Sequence, residues 1–211
     1  MLDDQNLIVN QFFTLWAMLD PISHLTLFLG ATSELERSER RRAAVLAVIF
    51  AFFILLFFGV AGQFVLHAMG ISLISFQIAG GIILLLFSLT MVLGEPHAAA
   101  KSPLEPAGNA LSTAIYPLAT PIIAGPGAML AIIILTDNNR FTISEQTVTF
   151  AVLAVVLALM MGIFLMGDGI GRLIGRGGTN VVRRIMGVIL AALSVNLIAN
   201  ALVEWLHLPA V

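Results

Sequence analysis

Apolar residues fall into long uncharged runs at 43–66, 71–94, 147–167 and 185–203. Each reaches or approaches the ~20 residues that a helix needs to cross the hydrocarbon of a bilayer, so each predicts a spanning helix. Two further apolar stretches are interrupted by polar or helix-breaking residues: 7–29 carries "DPISH" at 20–24, and 113–136 carries "YPLATPIIAGPGAM" at 116–129. Counting both gives an all-α integral membrane protein of six transmembrane helices, at about 7–29, 43–66, 71–94, 113–136, 147–170 and 183–204.

Composition agrees with lipid as the solvent. The chain is 59% hydrophobic and 10% charged, with a mean hydropathy of +1.03, more apolar surface than one soluble core of this length can hide. The absence of cysteine excludes disulfides and thiolate metal sites. The net charge of -2 matters less than where the charges sit. Arg37, Arg40, Arg41, Arg42, Lys101, Arg172, Arg176, Arg183 and Arg184 follow the first, third and fifth spans, whereas the opposite side holds Arg140 alone. Basic residues in short loops are retained in the cytoplasm, so six spans put both termini on the outer side, in the periplasm of a bacterial inner membrane. The acidic start "MLDDQN" lacks the positive region of a secretory signal, and the first span is expected to be kept. In "ATSELERSERRR" (31–42) Ser33 reads as the cap of a solvated helical start. The Pro- and Gly-rich "GEPHAAAKSPLEPAGN" (94–109) lies near the chain midpoint and reads as a seam. The organisation expected is a first three-helix unit over 1–94, a cytoplasmic linker over 95–112 and a second three-helix unit over 113–211.

The two units resemble each other. "LDPISHL" (19–25) aligns with "ATPIIAG" (119–125), which lays Asp20-Pro21 over Thr120-Pro121. "QIAGGIILLL" (77–86) aligns with "RIMGVILAAL" (184–193), and "AGQFVLHAMG" (61–70) with "MGDGIGRLIG" (166–175). Because each unit has an odd number of spans, the two repeats must insert with opposite orientation. Pro- or Gly-interrupted helices at matching positions of inverted repeats point to a secondary transporter's binding site. Proline lacks the amide hydrogen and collides with the preceding turn. Asp or Thr just before it can cap a helix that restarts there. Two restarted helices, entering from opposite faces, would aim exposed amides and positive dipole ends at the bilayer centre.

Asp20 lies well inside its span, about 20 Å along the helix, where a carboxylate must be capped, paired or hydrated and is a functional candidate by default. It would bind a substrate ammonium or take up H+ or Na+ as coupling ion, or act only as the cap before Pro21. His24, four residues on, shares its helical face and would make a proton-sensitive pair with it, or simply bond to backbone. Ser23, Thr26, Thr120, Asn196 and Asn200 offer neutral hydrogen-bonding groups at depth, to a zwitterion or to neighbouring helices. Asp168 reads as interfacial or gating, and Gly80, Gly81 and Gly187 as points of close helix packing. The site residues expected are therefore Asp20, Pro21, Ser23, His24, Thr120, Pro121, Gly125, Pro126, Gly127 and Asn196, with Asp20 and His24 for the coupling ion.

A metal hydrolase is disfavoured because His24, His67, His97 and His207 fall at different depths and sides. No HExxH, GxSxG or phosphate-loop pattern occurs either. Neither enzyme activity, a cofactor nor nucleic acid is expected; the partners expected are a small solute, H+ or Na+, and lipid. With "DPISHLTLFLG" (20–30), "GISLISFQIAGGIILL" (70–85), "PLATPIIAGPGAM" (117–129), "IGRGG" (174–178) and "RIMGVILAALSVNLIANAL" (184–202), the chain resembles the MarC family of six-span bacterial inner-membrane proteins essentially end to end. The resemblance implies an inverted three-plus-three fold with broken first and fourth spans, and transport of small neutral amino acids such as glycine and alanine. Asp20-Pro21-Ile22, Pro121 and Gly125-Pro126-Gly127 match the family's motifs. Ser23-His24 replaces its Gly-Asn, and Thr26 its second Pro, departures that bear on substrate and coupling ion. The alternative is a channel-like or structural membrane protein whose broken helices only pack.

Overall fold

The computed structural model describes residues 2–93 and 109–207, and their side chains except those of 2–6, 26, 168, 170–177, 179, 180, 182 and 183. Helices α1 (Leu2–Leu19), α2 (Pro21–Ala31), α3 (Arg37–Ala68) and α4 (Leu73–Leu93) are followed by a short α5 (Ala110–Thr113) and an irregular coil, Ala114–Ile123. Then come α6 (Pro126–Leu135), α7 (Ile143–Leu165) and α8 (Gly167–Trp205). No strand occurs among the described residues. Among the described residues four helical segments, α3, α4, α7 and the Arg184–Trp205 part of α8, are long and apolar enough to cross a membrane. A fifth forms if the pair Ala110–Ile123 and Pro126–Leu135, bent by 62°, is one span.

Helix α6 is apolar on every side, as a helix buried all round must be. Leu130, Ile132 and Ile133 are fully buried, and α1, α3 and α4 surround it. The outward faces carry Phe53, Phe57, Val60 and Phe64 of α3 and Leu86 of α4, an apolar exterior of the extent that marks a lipid-facing surface. Helices α4 and α8 lie along each other. A methyl on Gly187 would stand 2.9 Å from Cβ of Met91 and 3.1 Å from the Ser88 carbonyl oxygen, so close packing is the role of this glycine. Gln77 Nε2 crosses the same seam to the Leu197 carbonyl at 3.0 Å. Phe28 of α2 stacks on Phe164 of α7 with centroids 4.6 Å apart.

Three boundaries differ from the sequence reading. Ser33 does not cap α3: Glu36 occupies the cap position without a side-chain bond, and Ser33 Oγ donates to the Gly30 carbonyl at 2.9 Å. Helix α7 begins at Ile143 through a capping box in which Thr142 and Glu145 bond reciprocally. The "IGRGG" segment is helical, part of α8 from Gly167 onward. Its glycines each cost a helix only about 1 kcal/mol, and it contains no proline to stop one. Asn109 caps α5 inside the expected linker; residues 95–108 of that linker, with His97 and Lys101, lie outside the described residues, as do the side chains of Thr26, Asp168, Arg172, Arg176 and Arg183.

Candidate functional site

The first break is built by "DPISH" itself. The α1 ladder runs as far as the Asp20 amide, which donates to the Trp16 carbonyl at 3.0 Å. Asp20 then takes the left-handed conformation, φ 37 and ψ 65, which Asp tolerates better than most side chains do. Pro21 opens α2 and offers no amide hydrogen. In an unbroken helix the Ser23 amide would bond to the Leu19 carbonyl. Here it turns to Asp20 Oδ1 at 3.3 Å, and His24 Nδ1 donates to the Leu19 carbonyl at 2.6 Å. Aspartate and histidine thus satisfy the two backbone groups that the break would orphan. A neutral His24 donating through Nδ1 keeps Nε2 as its acceptor. Asp20 is 1% exposed, and its second oxygen, Oδ2, has no hydrogen-bond partner among the described residues.

The second break is longer. Tyr116 and Thr120 are extended, at φ -135 and -134, as residues before proline tend to be, and the peptide bonds to Pro117 and Pro121 are cis. The chain then folds back so that the Ala124 amide reaches the Ala119 carbonyl at 2.8 Å. Gly125 is required there: a Cβ would stand 2.6 Å from the Pro121 carbonyl oxygen, a backbone atom with no room to give. Pro126 occupies the first turn of α6, and Gly127 lets that turn approach Leu84 of α4.

Both breaks meet at one cavity of about 270 Å³. Of the expected site residues, His24, Pro121, Gly125, Pro126 and Gly127 line it, alongside Met18, Leu27, Ile83, Leu84 and Phe87. Asp20 and Ser23 are buried within one turn of His24 but do not reach the wall, and Thr120 is half-buried next to Pro121. Asn196 is not part of this site; it is exposed on α8, as is Asn200. Leu27, Ile83 and Phe87 are exposed at the cavity's edge, so its mouth faces sideways between α2 and α4.

Two polar features escape the sequence reading. Gln11 of α1 is 1% exposed with neither amide atom hydrogen-bonded among the described residues. At the far end of α6, Asp137 Oδ1 accepts from Gln63 Nε2 at 3.1 Å and from the Asn139 amide and side chain at 3.0 and 3.1 Å. Arg140 bridges Asp137 and Glu204 of α8. A second cavity of about 300 Å³ lies beside this network, with Gln63, His67, Ser72 and Asp137 in its wall. The signal was present as "TDNNR" (136–140) after an apolar run and as a lone Gln63 within another. Among the described residues no three His, Cys, Asp or Glu gather to hold a metal ion.

The chain matches the model of the family described as MarC family integral membrane protein over residues 5–206. It is similar to a UPF0056 membrane protein of Methanocaldococcus jannaschii, 33% identical over 200 residues that cover 94% of this chain and 97% of that one. A UPF0056 membrane protein of Aquifex aeolicus is 31% identical over 198 residues, 93% of this chain and 92% of that one. The UPF0056 inner membrane protein MarC of Escherichia coli is 31% identical over 206 residues, 89% of this chain and 90% of that one. No solved structure matches. On the length of the match and the identity of these relatives, the chain belongs to the MarC family of integral membrane proteins.

Proposed function

We propose that this protein is a secondary transporter of small neutral amino acids, glycine- or alanine-like, or of similar small polar solutes. It works by alternating access in a bacterial inner membrane. In this reading α1 with α2, and the coil 114–123 with α6, are each one broken span, which makes six spans in two inverted three-helix repeats with periplasmic termini. The basic residues at 37–42 and 172–184 then lie in the cytoplasm. The observation that carries the proposal is the convergence of the two proline breaks on one cavity. A cavity of about 270 Å³ sits just below the range of about 300–1,000 Å³ typical of small-molecule sites, which favours a small solute.

The roles follow from the chemistry. The coil 120–127 presents unwound backbone and the start of α6 to a carboxylate. Asp20 Oδ2, left over after the cap is made, exchanges H+ or Na+ behind the wall, or takes a substrate ammonium once alternating access opens the break to the cavity, and His24, which lines the cavity, carries the change in charge to it. A purely structural protein is the second reading, favoured by the same cap bonds, since Ser23 and His24 already complete the break. The readings separate in proteoliposomes. Counterflow of labelled glycine and alanine is expected with wild type, varying with external pH or Na+, and is expected to fail or lose that dependence in Asp20→Asn. A wild type that moves no label above empty vesicles sinks the amino-acid assignment.

A further inference from the structure

Asn196 fails as a cavity residue, and its placement has a different consequence. It lies near the middle of the Arg184–Trp205 span. At about 100° per residue it points directly away from Gly187, and its side of α8 faces away from the buried Leu190, Ser194 and Ala201. Its amide is therefore directed outward at a depth where lipid offers no hydrogen bond. Among the described residues no partner is found for it. A lone amide left so in hydrocarbon is costly, and side chains of this kind in membrane helices bond across to another helix.

The residues around it are ordered. Ile185, Ile189, Ala192, Asn196, Ala199 and Val203 recur at alternating spacings of four and three, and all are exposed except the half-buried Val203. That heptad spacing is the seam of a left-handed helix pair, in which a single polar residue sets register and partner number. Two small alanines flank the asparagine on the seam, which lets the backbones approach.

We propose that α8 pairs with α8 of a second copy of this chain through this seam, with Asn196 meeting its own counterpart on the two-fold axis. All copies insert with the same orientation, so the axis runs along the membrane normal and the two helices are parallel. An amide is both donor and acceptor, so Asn196 facing itself satisfies both copies at once. An isologous contact of this kind closes at two subunits. The proposal is independent of what, if anything, the cavity carries.

The chain lacks cysteine, so single cysteines report cleanly. Ala192→Cys and Ala199→Cys, which leave Asn196 in place, are expected to form a disulfide-linked dimer on oxidation in native membranes. Phe64→Cys, equally lipid-facing on α3 at 77% exposure, is expected not to. Adding Asn196→Leu to Ala192→Cys should weaken association by between about threefold and twentyfold, and Asn196→Gln should largely restore it. Photobleaching of single molecules in liposomes should show two steps for wild type and mostly one for Asn196→Leu. Equal crosslinking at Phe64 and Ala192, single-step bleaching of wild type, or a crosslink to a different protein in place of a second copy would overturn the proposal.

Discussion

Asp20 carries two duties on two oxygens. Oδ1 caps α2 through the Ser23 amide, and Oδ2 has no partner among the described residues. Substitution separates them. Asn keeps a capping oxygen and tolerates the left-handed conformation, so Asp20→Asn should unfold in detergent close to wild type. Asp20→Ala loses the cap and should cost about 0.5–2 kcal/mol. Thermal unfolding of both checks this; equal destabilisation would mean that the charge, and not the cap, holds the break together. The Asp-Pro pair was legible from the sequence as a cap followed by a first-turn proline. The acceptor of His24 was not, because the Leu19 carbonyl becomes free only once the Ser23 amide has turned to Asp20. Nor could the sequence show that a Cβ at Gly125 would meet the Pro121 carbonyl, a contact set by the whole path from 119 to 126.

Helices of this chain are easy to find and hard to orient. Uncharged length alone predicts α3, α4, α7 and the end of α8, because lipid requires it. It does not tell which face turns inward, since a membrane helix is apolar on both. On α8 the buried Leu190 and Ala201 and the exposed Ile189 and Ala199 are alike in character, so the sequence offers no contrast by which to see that Asn196 faces outward. The Arg- and Gly-rich stretch 171–182 leads into the last span as helix, because glycine and charge weaken a helix without stopping it. The polar knot at Thr136–Arg140 fastens α6, α3 and α8 where α6 stops. Asp137 is buried there and accepts three bonds through one oxygen, so Asp137→Ala should cost about 1–3 kcal/mol through the stranded donors of Gln63 and Asn139. Glu204 is about half-exposed, and Glu204→Ala should cost less than about 1 kcal/mol. Thermal unfolding of the two variants side by side checks the order, and a larger loss at Glu204 would contradict it.

In the whole molecule two breaks far apart in the chain share one cavity. Their pairing was legible in the sequence, because Asp20-Pro21 and Thr120-Pro121 interrupt two apolar stretches at an offset of 100 residues. The sideways mouth was not, since Leu27, Ile83 and Phe87 come from different helices and differ in no way from other apolar residues of the chain. The proposed topology has a direct consequence for labelling. Ser38→Cys, exposed in the first turn of α3, should react with an impermeant maleimide only from the cytoplasm, and Met69→Cys, just past its other end and 67% exposed, only from the periplasm. Reaction of both from one side would break the six-span account.

The central claim, that the two breaks form one solute site, is tested most directly by occupancy of the cavity. Ile83→Cys places a single thiol on its wall, and the rate of its alkylation by N-ethylmaleimide can be followed on purified protein with increasing glycine or alanine. The account predicts saturable slowing by the amino acid, lost when Asp20→Asn is added. A rate that neither amino acid changes, in protein that is folded and reactive, would contradict it.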